Sequence, residues 1–446
     1  MHTTVKNDLH VVVIGGGIGG LCLAQGLKKA GVRATVCERD RTPTARLQGF
    51  RVHIDPQGSR ALHDCLPEHL WLLFQSTCGD FSRGFTLLDE QLGELMKFRD
   101  AIENPDPVER HRSVSRITLR QVLLAGLGES VQFDKRFTHY EQRADGGLAA
   151  HFADGSTVEG DVLVAADGVG SRVRSQYLPG NEPIETGVIS LGGRIPLTDG
   201  VMALLPPSLL DGPAIVMPPT PANLFMAAWR RSKDAKEIAR TLNWMGRSET
   251  DPVREEGDYL VMALGAREPW WGIEGDPLSL SQPEMHRLLC SKLIDWHPNL
   301  RKLAEMMGEE LGFLRIRTSQ PVAPWTPTNI TLLGDAIHSM TPYRGVGANT
   351  ALRDATLLCS KLTAGARGEQ PLLAAIGAYE AAMREYGFHA VGESLKSMEQ
   401  AVSERRFGFR VAMSALRVAN RIPVLRRKIF AQRVAVRQER TEAQAS

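Results

Sequence analysis

Residues Leu9–Leu21 read LHVVVIGGGIGGL, with five glycines between Gly15 and Gly20. Glycine loses more conformational entropy on folding than any other residue, so such a run has to be required by close backbone approach. The spacing Gly15-x-Gly17-x-x-Gly20 suits a phosphate cradle. Gly15 makes the tight turn, Gly17 lets a pyrophosphate approach, and Gly20 lets a helix pack closely on a sheet. Glu38 follows at an offset suited to a ribose hydroxyl. Two further sets carry chemistry of the same kind. One is Asp167-Gly168-Val169-Gly170-Ser171-Arg172-Val173-Arg174. The other is Gly334-Asp335-Ala336-Ile337-His338-Ser339-Met340-Thr341-Pro342, followed by Tyr343-Arg344-Gly345-Val346-Gly347-Ala348-Asn349. A single extended ligand with a nucleotide end and a distant ring end would touch both glycine-rich helix starts.

The elements that must position these residues are legible in the pattern. Val11–Ile14 is a β-branched run without alternation, as in a parallel strand buried on both faces. Leu21, Leu23, Ala24 and Leu27 then recur at helical spacing, and Ala34–Cys37 reads as a second strand. This is a βαβ unit of about 30 residues, and its helix N-terminus offers free N–H groups to phosphates. Asp161–Gly168 and Ile330–Leu333 read as further buried strands, each leading into one of the other two motifs.

Together the three motifs resemble the class A, p-hydroxybenzoate hydroxylase-like flavoprotein monooxygenases over nearly the whole chain to about residue 380. The resemblance implies an α/β fold: a Rossmann-like, glutathione-reductase-type FAD-binding domain, an inserted antiparallel-sheet substrate domain and a C-terminal helical region. It implies FAD as cofactor, with Asp335 on the ribityl chain and Gly345–Asn349 beside the isoalloxazine. Arg116 matches the family arginine that contacts the cofactor, and Arg46 the arginine after the second strand. The cofactor-binding set is therefore Gly15, Gly17, Ile18, Gly20, Glu38, Arg39, Arg46, Arg116, Asp167, Gly334, Asp335, Gly345, Gly347, Ala348 and Asn349. Pro342, Arg344 and Gly347 are the candidates for the flavin and oxygen pocket. Where many aromatic hydroxylases of the family carry a polar residue, Val346 stands, so a phenol substrate does not transfer with the fold.

The implied reaction is hydroxylation or epoxidation of a small apolar molecule, aromatic, polyketide-like or isoprenoid, through a flavin hydroperoxide. NAD(P)H is a transient reductant and dioxygen a co-substrate. The alternatives are a flavin-dependent reductase of the geranylgeranyl reductase type and a flavin-binding protein without turnover. The cofactor carries the hard chemistry, in keeping with a chain whose sequence shows no Ser-His-Asp set, metal-ligand cluster or carboxylate pair. His338 reads as a structural histidine bonded to backbone, and Trp270-Trp271 as core. Arg51 and His53 share one face of a strand, either solvated or along the flavin edge. Tyr343 and Arg344 either close over substrate or cap their loop.

The expected FAD-binding domain is discontinuous: residues 1–80, 109–182 and 316–382. Residues 81–108 and 183–315 form the substrate domain, with Pro206–Pro221 as a loop over the pocket and Phe85–Leu88 and Leu95–Phe98 as a hairpin. Residues 383–446 form the basic helical region. The 446 residues are 43% hydrophobic and 23% charged with a net charge of +2, a soluble globular composition without attraction to nucleic acid. Six cysteines without a CxxC pair point to reduced thiols and a cytoplasmic protein. Between Arg405 and Arg440 there are 11 basic residues and one acid, which leaves the rest of the chain acidic. That basic segment docks on the acidic remainder or, in the second reading, lies peripherally on an anionic membrane.

Overall fold

The computed structural model describes residues 9–43, 51–79, 84–99, 106–231, 257–308 and 311–404. Arg46 and the basic segment 405–440 lie outside the described residues.

Seventeen strands are described, and five of them form a parallel sheet. In chain order the first three are β1 (His10–Ile14), β2 (Arg33–Cys37) and β3 (Arg51–Ile54). Next come β4 (Gly84–Leu88), β5 (Glu94–Arg99), β6 (Arg112–Ser115) and β7 (Val131–Gln132). Then follow β8 (Phe137–Gln142), β9 (Leu148–Phe152), β10 (Thr157–Gly160) and β11 (Val162–Ala165). The last six are β12 (Ile184–Pro196), β13 (Ala214–Val216), β14 (Ala222–Trp229), β15 (Tyr259–Arg267), β16 (Gly312–Thr318) and β17 (Ile330–Leu332). The helices used below are α1 (Ile18–Lys29), α2 (Pro56–Cys65), α3 (Arg116–Leu124), α4 (Arg172–Tyr177), α5 (Gly347–Ala366) and α6 (Leu372–Ala401).

The parallel sheet has the order β17-β11-β1-β2-β7. Its central strand, Val11–Ile14, is buried on both faces, which is why the sequence shows a continuous apolar run instead of alternation. Helices α1 and α5 pack on it, and their apolar residues join one core with the strands. A three-stranded antiparallel sheet, β10-β9-β8, is attached beside it, and β3 pairs with β6.

The second large sheet has the order β16-β12-β15-β14-β13-β4-β5. It is mixed where an antiparallel sheet is expected, because β4 runs parallel to β13. The β4–β5 hairpin reaches this sheet by a separate excursion of the chain, so no tight turn dictates its direction against β13. On one face, Leu224, Met226 and Leu264 meet Trp271, Leu289 and Leu300 in a second core. Asn223 and Phe225 alternate with these and face the other side. Residues Pro206–Pro221 form no loop over a pocket. They hold the short helix Pro207–Leu210 and strand β13, with Leu209, Ala214 and Val216 buried in this second core. The prolines start the helix where a missing N–H costs nothing.

Helix α6 continues unbroken across residue 383, so the boundary expected there falls inside a helix. It braces the molecule: the Tyr379 hydroxyl donates to the Leu332 carbonyl at 2.8 Å, and the Thr341 hydroxyl to the Ser394 carbonyl at 2.8 Å. Near its end, Met398 and Val402 pack on Val188 and Ile316 of the mixed sheet. No described helix is long and apolar enough to cross a membrane.

Candidate active site

The glycines fall into two physical classes. Gly15 has φ +111°, and a Cβ there would lie 2.3 Å from the Ala166 carbonyl oxygen. A Cβ on Gly20 would lie 2.3 Å from the Gly15 carbonyl oxygen. These two residues allow β1, β11 and α1 to close on one another. A Cβ on Gly17 would meet nothing within 4 Å. Gly17 therefore keeps open the space in front of α1. That helix has no side-chain cap and no acid in its first turn, so its free N–H groups face that space. The Ile18 side chain is buried in the core, which leaves only its N–H for a ligand.

Glu38 is buried and already committed at both oxygens. It accepts from the Gly16 N–H at 2.8 Å and from the Asp40 N–H at 2.9 Å. Arg120 on α3 joins it: its Nε donates to the Gly16 carbonyl at 3.0 Å, and its terminal nitrogen lies 3.6 Å from both Glu38 and Asp40. The carboxylate thus orders the glycine loop as well as standing where a ribose would be expected. Arg39 follows it, exposed. Arg120 was not a sequence candidate; nothing in its local spacing distinguishes it.

The second and third motifs are tied to each other. Asp167 accepts from the Arg172 N–H at 2.8 Å, and Ser171 caps α4 through the Arg174 N–H at 2.9 Å. Burial raises the Asp167 pKa above the ordinary carboxylate value, and its Oδ1 has no hydrogen-bond partner among the described residues. The buried Arg174 guanidinium donates to the Ala336 carbonyl at 2.8 Å and to the Val169 carbonyl at 3.0 Å. Gly334, at φ +61°, turns β17 into the loop, and its N–H donates to Asp354 at 2.7 Å. The same Asp354 oxygen lies 2.6 Å from His338 Nε2, while the Tyr386 hydroxyl donates to the other oxygen at 2.5 Å. His338 is structural, but its side-chain partner is this buried carboxylate and not the backbone. Burial, the largest single influence, pulls its pKa down, but the charge and hydrogen bond of Asp354 together with the Asp335 charge outweigh it, and the net shift is upward.

Asp335 is exposed, yet enough protein surrounds it that desolvation raises its pKa; Arg116, at the head of α3, acts in the opposite direction. Ala351 connects the pieces: Cβ atoms on Gly19 and Gly334 would lie 3.2 Å and 3.1 Å from its Cβ. The starts of α1 and α5 are therefore neighbours. Helix α5 also lacks a side-chain cap and a first-turn acid. Gly345, at φ +63°, turns the chain into it, and Gly347 and Ala348 are half-buried. Asn349 acts as a staple: its amide donates to the His53 carbonyl at 2.9 Å and accepts from the Asp55 N–H at 3.0 Å. Only its backbone is left for a ligand.

Beyond these helix starts stands the mixed sheet. Tyr343 spans the gap, with its hydroxyl 3.2 Å from Asn223 Nδ2 and so close to Gly265 that a Cβ there would lie at 2.6 Å. Arg344 turns outward and pairs with Glu393 on α6 at 3.0 Å, so its guanidinium is not brought to the Tyr343 side. Pro342 is exposed. Arg51 donates to Ser113 at 2.9 Å and is desolvated, while His53 stacks on His111. The strand face carrying them is therefore partly enclosed. Asp354, Asn223 and Arg120 are the site residues that sequence reasoning missed.

These features fit a flavin dinucleotide: a loop with room for a pyrophosphate, two uncapped helix starts side by side, and an accessible Asp335 within the electrostatic reach of Arg116. Residues 13–78 match the model for an NAD(P)-binding Rossmann-like domain, and residues 315–390 the model for an FAD binding domain. A crystal structure from Photorhabdus luminescens, assigned as an FAD containing monooxygenase, is 36% identical. It aligns over 89% of this chain and 99% of its own, with a TM-score of 0.77. A dual O-methyltransferase/FAD-dependent monooxygenase of Phaeosphaeria nodorum is 28% identical over 90% of this chain but only 45% of its own. The chain spans about half the length of such curated relatives. Klebsiella pneumoniae HpxO, crystallised with FAD and uric acid, shares the fold at 22% identity. That match covers 92% of each chain at a TM-score of 0.73.

Proposed function

This chain belongs to the FAD-dependent monooxygenases, and on that premise we propose that it uses NAD(P)H and dioxygen to hydroxylate or epoxidise a small, largely apolar molecule. The observation that carries the proposal is the reach of Tyr343 from the Gly334–Asn349 segment onto Asn223 and Gly265 of the mixed sheet. It supports a space with the groups that would hold the cofactor on one side and a sheet face on the other. On that face the register aligns Phe225 with Ala263 and Ala227 with Val261, so most of the surface offered is apolar. Asn223 and the Tyr343 hydroxyl are polar points within it.

FAD held here supplies the two-electron chemistry that couples reductant and dioxygen to substrate oxidation. The chain's own contribution is placement. Gly17 and the α1 N–H groups would hold the pyrophosphate, with Glu38 keeping the loop in shape. Asp335 and Arg116 would hold the middle of the cofactor. The free N–H groups of Gly347 and Ala348 would favour negative charge at its ring end. Tyr343 and the sheet would exclude water and orient the substrate. Pro342, which has no N–H, shapes the same wall.

Oxygen use tests the reading. Flavin-loaded protein should consume NAD(P)H and dioxygen in step with a substrate and incorporate labelled oxygen into it. Saturation of a double bond without oxygen uptake would support a reductase of the geranylgeranyl type instead. Which molecule is oxidised calls for a screen of aromatic, polyketide and isoprenoid compounds. For the segment 405–440, the reading adds a salt test. Binding to anionic vesicles that is lost at high ionic strength supports a peripheral membrane role, and no binding supports docking on the acidic remainder.

A further inference from the structure

The three-stranded sheet beside the parallel sheet carries a cluster that the oxidation chemistry does not use. His139 and His151 are directly opposed on the antiparallel strands β8 and β9, and Glu141 lies two residues from His139 on the same face. The imidazoles stack with centroids 4.5 Å apart. His139 Nε2 and His151 Nε2 each lie 3.6 Å from a Glu141 oxygen. One ligand atom from each residue falls within 4.8 Å of the others, the one such set among the described residues. No candidate metal ligand was evident in the sequence, because only the hairpin register brings a His-x-Glu pair against a histidine of the next strand.

The hydrogen bonds around the cluster set its chemistry. The Thr138 hydroxyl has one proton and donates it to the His151 carbonyl at 2.9 Å. Towards His139 Nδ1, 3.1 Å away, it acts as acceptor, so the Nδ1 carries the hydrogen. His139 Nε2 in the neutral ring is then a lone pair aimed at a carboxylate oxygen, which is repulsive unless a cation lies between them. The Nδ1 of His151 is likewise held by a hydroxyl oxygen, Thr157 Oγ1 at 3.1 Å. Its Nε2 is shielded from solvent and has no hydrogen-bond partner among the described residues. Metal-binding histidines are held in this way, with the far ring nitrogen fixed by an oxygen. In the adjacent row the small Ala149 stands between Glu141 and Glu159, which places a second carboxylate on the same face.

We propose that His139, Glu141 and His151 bind a borderline divalent transition-metal ion of the Zn2+ or Cu2+ kind, clamping β8 to β9. Two imidazoles and a carboxylate are a zinc-type donor set, and the open fourth position goes to water, since Glu159 is paired with Arg143. Hard oxygen-seeking cations such as Mg2+ are not expected, since two of the three donors are nitrogen.

The test uses the flavin-loaded full chain after chelator treatment. Titration with Zn2+ against a chromophoric chelator should show one equivalent bound and a rise in melting temperature. The His139→Gln/His151→Gln double variant should lose more than tenfold in affinity and lose the melting shift. Glu141→Gln should weaken binding, and Thr138→Val should do so by roughly tenfold through the tautomer alone. With Cu2+, electron paramagnetic resonance should show two nitrogen donors in the wild type and not in the double variant. Retained flavin and circular dichroism show that the variants are folded. Equal Zn2+ affinity in wild type and double variant would overturn the site. So would NMR titration showing both imidazoles protonated about Glu141, with the pair taking the place of a metal.

Discussion

His338 and Asp354 form an ion pair with Nε2 and Oδ2 2.6 Å apart, both side chains almost wholly out of solvent. The same oxygen takes the N–H of Gly334, and the other takes the hydroxyl of Tyr386. One carboxylate on α5 therefore fixes the turn that exposes Asp335, the short helix after it, and the brace helix α6.

Removing that carboxylate should be costly. Asp354→Ala leaves three buried partners unsatisfied, and breaking a buried pair of this kind costs about 3–5 kcal/mol. We expect a lowered melting temperature and loss of bound flavin together. The pair also sets a pH dependence. Because the folded pKa of His338 lies above its unfolded value, its contribution is fully present below about pH 6.5. It is lost as pH rises through the folded pKa. In His338→Gln this alkaline loss should disappear from a plot of stability against pH.

The two glycine classes should separate experimentally. Gly17→Ala adds a Cβ into open space and should leave the stability of the flavin-free protein unchanged within about 0.5 kcal/mol, while weakening FAD binding. Gly15→Ala places a side chain at φ +111° against the Ala166 carbonyl and should destabilise the protein before any cofactor is added. Equal flavin affinity for Gly17→Ala and wild type would remove the pyrophosphate from this loop.

Much of the site was legible because it is local. The glycine fingerprint, Glu38, the Asp167-Gly168 pair and the Gly334-Asp335 pair each lie at a strand end, where a few consecutive residues determine the backbone. Arg120 and Asp354 were not legible. Each sits in the middle of an ordinary amphipathic helix, and its role appears only when tertiary packing brings it to another motif. The same holds for Asn223, whose position facing Tyr343 depends on the alternation of β14 and on α6 holding the Tyr343 loop. The prolines of Pro206–Pro221 read as loop signals in the sequence, but in the fold they open a helix and precede a strand, a difference that only the packing of Leu209, Ala214 and Val216 in the second core decides.

Glu380 on α6 is 1% exposed, and burial pushes its carboxyl pKa up to about 7, with Thr331 and Trp325 partly opposing that shift. A raised carboxyl pKa means that the folded state holds its proton more tightly. The contribution is present in full below the unfolded value of 4.5 and falls as pH rises to about 7. Glu380→Gln keeps the shape and removes the charge. It should be more stable than wild type at pH 8, by on the order of 3 kcal/mol, and no better at pH 4. Chemical denaturation at the two pH values measures the difference directly; a gain independent of pH would mean that the Glu380 carboxyl has the same pKa folded and unfolded.

The Tyr343 hydroxyl is the point where the Gly334–Asn349 segment meets the mixed sheet, so it separates positioning from folding. Tyr343→Phe keeps the ring and removes one hydrogen-bonding group facing Asn223. Loss of a neutral hydrogen bond is worth about 1 kcal/mol, or roughly fivefold. If the hydroxyl orients substrate, KM should rise by about that factor and more NAD(P)H should be oxidised without product, while bound FAD and melting temperature hold. Gly265→Ala gives the complementary case. Its Cβ would lie 2.6 Å from the same oxygen and must displace the tyrosine. It should therefore uncouple NAD(P)H oxidation from product formation more strongly than Tyr343→Phe does. Full coupling in both variants would put the substrate away from this part of the sheet.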